Sequence, residues 1–355
     1  MEPLFKVFMP RELELETMSQ ILYSGKLSFG QYGKDFEDAL REYIGNPYLL
    51  TTSNNNYATL IAFSAIGLKA GDEVIASPMA CLASNQPILS FQAKTVWTDI
   101  DPATGSLDPD AVKKSITVKT KAIMHYHWGG YPGYIDEIND IGRSYGIPVI
   151  DDAIEAFGSE YNGRRMGNVG SDITCFSFQP VRLPNCIDGG AISFKSPELF
   201  EKAKLIRDFG INRQTFRDTK GEISPHSDIA LPGYNAMMSE FNSYLGLQQL
   251  RHLPALLDRQ RGNSIYWDEY FQNEKMKPMH REGVVPNYWI YSVFTGNGEY
   301  WLDRIRAQGY YSSRVHLRND LYSAFGKNNG FLPGVDAFSE NVISVPSGWW
   351  VNLNK

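Results

Sequence analysis

The stretch Val149-Ile150-Asp151-Asp152-Ala153-Ile154-Glu155-Ala156-Phe157-Gly158 indicates more about the fold of this chain than any other. Its first residues, with Ile147 and Pro148 before them, have the pattern of a short buried strand, and two carboxylates follow at its carboxyl end. In open α/β sheets, ligands bind beside the carboxyl ends of the strands. The stretch therefore predicts a buried strand that delivers Asp151 and Asp152 to a ligand site.

Other segments repeat the pattern of a short apolar run that follows a polar loop, at 71–76, 95–100, 120–125 and 190–194. Between them, segments 108–115 and 135–145 have the pattern of helices. Asp108 is suited to be an N-cap, and Pro109 to be the first helical residue. Alternation of strands and helices is typical of a mostly parallel sheet that is covered on both faces. The fold class is therefore α/β.

The pattern changes after about residue 207. Segment 239–257 has apolar residues at helical spacing, and a long helix is expected to continue through residue 269. From about residue 273, shorter runs alternate with Gly and Pro. These features predict a large α/β domain at 1–255 and a small C-terminal α+β domain at 256–355.

Composition excludes several classes of protein. The chain has 355 residues, is 43% hydrophobic and 21% charged, and carries a formal charge of -6 with no basic run, so nucleic acid is not expected as a partner. No apolar segment approaches the length of a membrane span, so membrane insertion is not expected. Cys81, Cys175 and Cys186 are too few for a disulfide framework. With no leader-like start, these features favour the reducing cytoplasm.

A second motif, Cys175-Phe176-Ser177-Phe178-Gln179-Pro180-Val181-Arg182, precedes Asp188-Gly189-Gly190. Together with the acidic stretch, it resembles the cofactor site of the DegT family of sugar aminotransferases. Further matches to the family extend over residues 24–261. The resemblance implies a type I aminotransferase fold with a mostly parallel mixed sheet, pyridoxal phosphate as cofactor, a nucleotide-linked sugar as substrate, and a homodimer with shared active sites.

Arg182 is the main departure from this resemblance. In the family, the sixth residue counted from the serine of the motif is the lysine that forms a Schiff base with the cofactor, and here that residue is Arg182. The reaction needs a primary amine that later moves a proton. A guanidinium stays protonated and can do neither. Lysine-dependent transamination is therefore in doubt.

The resemblance also implies roles for three further residues. The second acid of the pair, Asp152, would contact the pyridine nitrogen and keep the ring protonated, although it could instead cap a following helix. Ser177 would bind the cofactor phosphate, or else be a strand serine bonded to backbone. Asn235 would reach the phosphate of the neighbouring subunit, or else be a turn residue.

Several positions of the expected pocket differ from the family pattern. Asn54, Asn55 and Asn56 replace Ser-Gly-Thr, so that a helix N-terminus could still bind phosphate but without the close approach that glycine permits. Cys81 replaces the aromatic residue that stacks on the ring. Glu155 stands where Gln or His faces the cofactor's 3-hydroxyl, and its charge would be repulsive there unless one group is protonated. It could equally be a polar helix residue.

Two further candidates have weaker signals. His127 could be a catalytic acid or base, or a structural hydrogen-bonding residue. Arg314, His316 and Arg318 alternate, so on an extended strand they would share one face, which could bind a diphosphate or carboxylate or could be a solvated edge. No metal-ligand spacing and no dinucleotide fingerprint appear in the sequence.

The leading interpretation is a nucleotide-sugar aminotransferase-like protein of surface-polysaccharide or amino-sugar biosynthesis. If pyridoxal or pyridoxamine phosphate is bound, it would be held without a covalent bond to the protein. The other possibility is that the protein binds no cofactor. The alternatives are a pyridoxamine-phosphate-dependent sugar dehydratase-like enzyme, a cofactor-free sugar-nucleotide enzyme, and a non-catalytic binding subunit. Three explanations of Arg182 are open. It was introduced into the protein, it belongs to an enzyme that uses the cofactor without a lysine, or it arose by natural divergence. The last is favoured, because four departures share one pocket. Arg182 is expected to repel the amine of pyridoxamine phosphate.

Overall fold

The computed structural model describes residues 1–326 and 330–353. Its helices are α1 (Leu15–Tyr23), α2 (Gln31–Ile44), α3 (Asn55–Ala65), α4 (Leu82–Ser90), α5 (Pro109–Ser115), α6 (Ile135–Tyr145), α7 (Pro197–Arg207), α8 (Glu240–Asn273), α9 (Gly298–Ala307) and α10 (Pro333–Asn341). Its strands are β1 (Leu49–Thr52), β2 (Glu73–Ala76), β3 (Lys94–Trp97), β4 (Ile100–Asp101), β5 (Ser106–Leu107), β6 (Thr120–Tyr126), β7 (Val149–Asp152), β8 (Glu160–Tyr161), β9 (Arg164–Arg165), β10 (Ile173–Ser177), β11 (Gly190–Phe194), β12 (Val284–Val285), β13 (Tyr291–Phe294) and β14 (Val342–Val345).

A seven-stranded sheet in the order β1-β11-β10-β7-β6-β2-β3 organises the large part of the chain. Strand β11 is antiparallel to both of its neighbours, and the remaining pairs are parallel. This confirms the predicted α/β class with a mostly parallel mixed sheet. Strands β7, β10 and β11 are buried along their whole length, as expected for a sheet covered on both faces.

Side-chain alternation explains how both faces of the sheet are covered. Cys175 packs into an apolar cluster with α3 and α7, whereas its neighbour Phe176 packs into a cluster with α2 and α8 on the opposite face. Ile192 and Ala191 divide between the two clusters in the same way. The period of two along each strand therefore places one apolar residue in each layer.

Local signals fix several helix ends as predicted. The side chain of Asp108 accepts a hydrogen bond from the backbone N–H of Asp110, and Pro109 is the first residue of α5. The helical segments expected from residue 239 to 269 form one continuous helix, α8, of 34 residues. The predicted domain boundary at residue 255 lies inside this helix, and the division of the chain there stays a prediction.

The C-terminal elements pack against the carboxyl edge of the large sheet. One apolar cluster joins Trp267 and Phe271 of α8 to β13, β14, α9 and α10, and also to Tyr126 and Trp128 at the end of β6. Asn319 holds this contact through hydrogen bonds to the backbone of Pro78 and Ala80. The C-terminal part of the chain therefore reaches the place where the sequence predicts a ligand site. Among the described residues, no helix combines the length and apolar character needed to cross a membrane.

Candidate active site

Asp152 lies at the carboxyl end of β7, in register with Tyr126 of β6 and Cys175 of β10. Its carboxylate is buried, and Oδ2 has no hydrogen-bond partner among the described residues. Burial raises the pKa of Asp152 to about 6, against the opposing effect of the Ser84 hydroxyl and the Ile154 N–H. Turns rather than a helix follow the strand, so Asp152 does not cap a helix and Glu155 does not lie on one. Asp152 is free to accept a hydrogen bond from a ligand.

Asp151 points instead toward two histidines inside the protein. Its Oδ1 lies 3.3 Å from Nδ1 of His125 and 3.2 Å from Nε2 of His127, and all three side chains are fully buried. The backbone N–H of Gly133 donates to Nδ1 of His127 at 3.0 Å, so a neutral ring carries its proton on Nε2, toward Asp151. The two imidazoles lower the pKa of Asp151 although burial alone would raise it.

This arrangement favours the structural alternative for His127, since both of its ring nitrogens face groups inside the protein. Burial, and then the neighbouring His127, lower the pKa of His125 to about 4, which keeps that ring neutral near pH 7. His125, His127 and Asp151 are residue types that also bind metals, and their ligand atoms lie within 4.8 Å of one another.

Arg182 is buried in the segment that follows β10. Its Nη2 lies 3.3 Å from Oε1 of Glu155, and its guanidinium carbon lies 3.8 Å from the centre of the Trp289 ring. The indole N–H of Trp289 donates to the carbonyl oxygen of Val181 at 2.9 Å, which fixes the ring beside this segment. Nε and Nη1 of Arg182 have no hydrogen-bond partner among the described residues. The ion pair with Glu155 and the stacking on Trp289 therefore hold Arg182 in place, and its Nε and Nη1 remain available as hydrogen-bond donors.

Glu155 is the centre of this network. Its Oε2 accepts a hydrogen bond from the backbone N–H of Gly129 at 2.9 Å, and its Oε1 also lies 3.1 Å from Nε2 of His316. Burial would raise the pKa of Glu155, but Arg182 first, and then His316, outweigh it and lower the pKa. Glu155 is therefore ionised, and Arg182 balances its charge. This differs from the expectation that each would act as an isolated charge in the pocket.

The three alternating residues near the C-terminus do not share one free face. His316 turns into the pocket, where Nε2 also lies 3.2 Å from the hydroxyl oxygen of Tyr126. Arg314 pairs with Glu299 at 3.2 Å. Arg318 pairs with Asp320 at 2.7 Å and with a second aspartate, Asp336. Local ion pairs engage both arginines, so their role in binding substrate stays a prediction.

The N-terminus of α3 and the end of β10 form a second part of the site. Asn54 caps α3 by accepting a hydrogen bond from the N–H of Tyr57, while Oδ1 of the buried Asn55 has no partner among the described residues. Asn56 is exposed. Ser177 is buried in register with Gly190 of β11, which lies beside Asn54 and Asn55. A helix N-terminus, an amide and a hydroxyl could together hold a phosphate.

Gly190 lets the start of α3 pack closely against the sheet. A Cβ atom at this position would lie 2.8 Å from the Thr52 hydroxyl and 2.9 Å from the carbonyl oxygen of Asn54. The backbone of α3 can therefore approach the sheet closely only because residue 190 has no side chain. The close approach of a glycine backbone to a phosphate is a different requirement, and no glycine stands at residues 54–56 to meet it.

The remaining sequence candidates are peripheral or partly open. Cys81 is half-buried at the start of α4, and burial first, then the charge of Glu155, raise the pKa of its thiol. Asn235 is exposed and pairs with Asp208 through an isolated bridge. Sequence reasoning missed Trp289 and Tyr126, because nothing in their local pattern indicates that they would meet Arg182 and His316.

A pyridoxal-type cofactor is held at its ring nitrogen, at its phosphate and by a covalent attachment, and the described residues suit the first two. Asp152 could hold the ring nitrogen, and the N-terminus of α3 with Ser177 could hold the phosphate. For covalent attachment the family resemblance predicts a lysine, and the position that it assigns to that lysine is Arg182. Among the described residues, no lysine is buried, so this part of the chain provides no replacement amine inside the pocket.

The sheet order and this arrangement at its carboxyl edge define a type I pyridoxal-phosphate-dependent aminotransferase fold. Residues 10–354 match the family model described as the DegT/DnrJ/EryC1/StrS aminotransferase family. The chain belongs to that family and is sugar aminotransferase-like, as its sequence motifs indicated.

The chain is also similar to solved structures and to one relative of comparable length. The sugar aminotransferase CalS13 from Micromonospora echinospora is 28% identical with a TM-score of 0.91, covering 99% of this chain and 96% of that one. AtS13 from Actinomadura melliaura is 29% identical with a TM-score of 0.90, covering 99% and 95%. The uncharacterized protein MJ1066 of Methanocaldococcus jannaschii is 28% identical over 347 residues, covering 94% of this chain and 90% of the relative.

Proposed function

We propose that this protein acts on a nucleotide-linked sugar with a pyridoxal or pyridoxamine phosphate that is held without a bond to lysine. The observation that carries the proposal is the buried ion pair between Arg182 and Glu155 at the Schiff-base position. An arginine paired in this way cannot form an imine, while Asp152 keeps a free carboxylate oxygen for a ring nitrogen. Family membership supports the sugar substrate and the cofactor.

The residues of the site would divide the work among them. When bound, the cofactor supplies an electron-withdrawing ring and an amino group. Asp152 would accept a hydrogen bond from the protonated ring nitrogen, and the N-terminus of α3 with Ser177 would hold the phosphate. Arg182 and Glu155 would line the opposite end. Because their charges balance, the pair repels a cofactor amine less than an isolated guanidinium would.

We further propose a cytoplasmic homodimer in the biosynthesis of amino sugars or surface polysaccharides. The exposed position of Asn235 suits a residue that contacts a neighbouring subunit. The small number of cysteines, all of them unpaired among the described residues, suits a reducing compartment.

Calorimetric titration with pyridoxamine phosphate tests the proposal. The wild-type protein is expected to bind, and Asp152→Asn is expected to bind about tenfold more weakly, because an amide stabilises a protonated ring nitrogen less than a carboxylate does. Asp140→Asn, a change at a surface ion pair, is the matched control and should bind as the wild type does. No binding by the wild type, or equal binding by Asp152→Asn, would contradict the proposal.

A further inference from the structure

His316 enters the pocket with one ring nitrogen engaged and one available. Its Nε2 lies 3.1 Å from Oε1 of Glu155 and 3.2 Å from the hydroxyl oxygen of Tyr126. An ionised carboxylate only accepts hydrogen bonds, so Nε2 carries the ring proton in the neutral imidazole and Nδ1 carries the lone pair. Nδ1 makes no hydrogen bond with the described residues, and the side chain is 16% exposed. Nδ1 is therefore the ring nitrogen that remains for a ligand.

The surroundings hold this ring in one orientation. Trp128 lies edge-on to it, with ring centroids 5.6 Å apart, and Tyr126 lies edge-on at 6.3 Å. A buried carboxylate behind an imidazole, whose second nitrogen has no partner among the described residues, is the arrangement of a general base and its orienting acid.

The backbone before His316 is strained. Val315 has a φ of 64°, in the left-handed region that a β-branched residue rarely adopts. The hydroxyl of Ser313 accepts a hydrogen bond from the Val315 N–H at 2.9 Å, and Ser313 itself pairs with Ser344 of β14. Such strain persists where the surrounding contacts enforce the conformation, and it is found most often at functional sites. Here the strained residue directly precedes His316.

Arg182 completes the set of groups around Glu155. Its Nη2 faces the same carboxylate oxygen as His316 does, and its Nε and Nη1 have no partner among the described residues. A guanidinium cannot give up its proton, but it can stabilise a negative charge that develops on an oxygen. The lysine amine of the family would move protons at this position. Arg182 cannot, and His316 is a neighbouring group that can.

We propose that His316, oriented by Glu155, moves protons at the carbon beside the carbonyl group of a nucleotide-linked keto sugar. The inference rests on the proposed function, and it selects a keto sugar because amino transfer to a sugar requires a carbonyl carbon. Nδ1 of His316 takes the proton, the C–H electron pair forms a C=C bond, and the carbonyl π pair moves to oxygen beside Arg182. The reverse step returns a proton from the imidazolium to carbon. Nothing is oxidised or reduced, and solvent is the only other proton source.

Exchange of hydrogen for deuterium tests this inference without any cofactor. The protein is incubated in D₂O with a uridine-diphosphate-linked 4-keto-6-deoxyhexose or with its thymidine-diphosphate counterpart, and deuterium beside the ketone is followed by NMR. Wild-type protein should accelerate exchange, and His316→Gln should lower that rate about 100-fold or more, the usual contribution of a general base. His280→Gln is the control, because His280 pairs with Asp268 near the surface, and it should exchange as the wild type does.

The pH profile tests Glu155 as a positioning residue. The titratable groups that face His316 are Glu155 and Tyr126, with the fixed charge of Arg182 beyond Glu155. Exchange should rise with pH, because a general base acts in its unprotonated form. Glu155→Gln should shift this rise to lower pH, since no anion then stabilises the imidazolium. A purely structural role would leave the midpoint unchanged, and near-ultraviolet circular dichroism checks that each variant is folded.

Binding measurements separate this inference from the proposed function. If calorimetry detects no binding of either nucleotide-linked sugar, the proposed function and this inference both fail. If a sugar binds but its hydrogens do not exchange, or if folded His316→Gln exchanges as fast as the wild type, this inference alone is overturned.

Discussion

Nη2 of Arg182 lies 3.3 Å from Oε1 of Glu155, and both side chains are almost completely excluded from solvent. Each residue stands where the resemblance to the DegT family predicts a different one, and each supplies the charge that the other needs when buried. An unpaired charge inside a protein is costly, whereas a paired one is tolerated. The two departures are therefore best understood as one change, which favours natural divergence over a single introduced arginine.

We predict that Arg182→Met lowers the free energy of unfolding by about 3 kcal/mol, because it leaves Glu155 buried without its countercharge. The double variant Arg182→Met/Glu155→Gln should lose less than the sum of the two single changes, with a coupling of about 1 kcal/mol or more. Denaturant titration measures both. Arg314→Met, which breaks an exposed pair, is the control and should cost about 1 kcal/mol at most. Additive losses would show that the pair is not coupled.

We predict that Arg182→Lys alone does not restore full amino transfer from glutamate to a nucleotide-linked keto sugar. The introduced ammonium would pair with Glu155, which raises its pKa and depletes the free amine that imine formation needs. Arg182→Lys/Glu155→Gln removes that anion and should be faster than Arg182→Lys by about tenfold or more. Coupled-assay rates for the two variants decide this. Brisk transfer by Arg182→Lys alone would indicate an ordinary aminotransferase site with an introduced arginine.

We predict that borohydride reduction of the wild-type protein with pyridoxal phosphate yields no pyridoxyl-lysine in the pocket. Arg182 cannot form an imine, and no lysine is buried among the described residues. Peptide mapping by mass spectrometry is the measurement, and Arg182→Lys treated in parallel is the positive control. A reduced adduct on a pocket lysine of the wild type would mean that another residue has taken the Schiff-base role.

We predict that Asp152 makes the cofactor-free protein less stable as pH rises. Its folded pKa, about 6, exceeds the ordinary value of 3.8, so the folded state holds the proton more tightly. The stabilising effect is complete below pH 3.8 and is lost as pH rises to about 6. Asp152→Asn should therefore match the wild type near pH 4 and be more stable at pH 8 by about 2–3 kcal/mol. Urea unfolding at both pH values tests this, and an equal difference at both would contradict it.

We predict a dimer of about twice the 40.1 kDa chain mass at micromolar concentration. The resemblance places Asn235 at the phosphate of the neighbouring subunit, and its side chain is exposed in the single chain. Sedimentation equilibrium gives the mass, and Asn235→Ala should leave it unchanged while weakening the binding of pyridoxamine phosphate. A stable monomer would remove the basis for including Asn235 in the site.

The sequence alone was sufficient to predict the sheet and the carboxylate at its edge, and it also led us to predict that the Schiff-base position is altered. Strand patterns are local, because alternate side chains of each strand face opposite layers and both layers here are apolar. The acidic pair and the Ser177 motif lie at strand ends, so their spacing along the chain fixes where they meet. Arg182 could be recognised as a departure from its position in the motif alone.

Only the tertiary structure decided how the departures are accommodated. Glu155 contacts Arg182, which is 27 residues away in the sequence, and His316, which is 161 residues away. No local sequence pattern indicates contacts between residues so far apart in the chain. On an extended strand Arg314, His316 and Arg318 would share a face, but in the structure His316 contacts Glu155 while ion pairs engage the two arginines. Long-range packing sets those directions, because the charge and shape that a buried side chain meets come from elements far away in the chain.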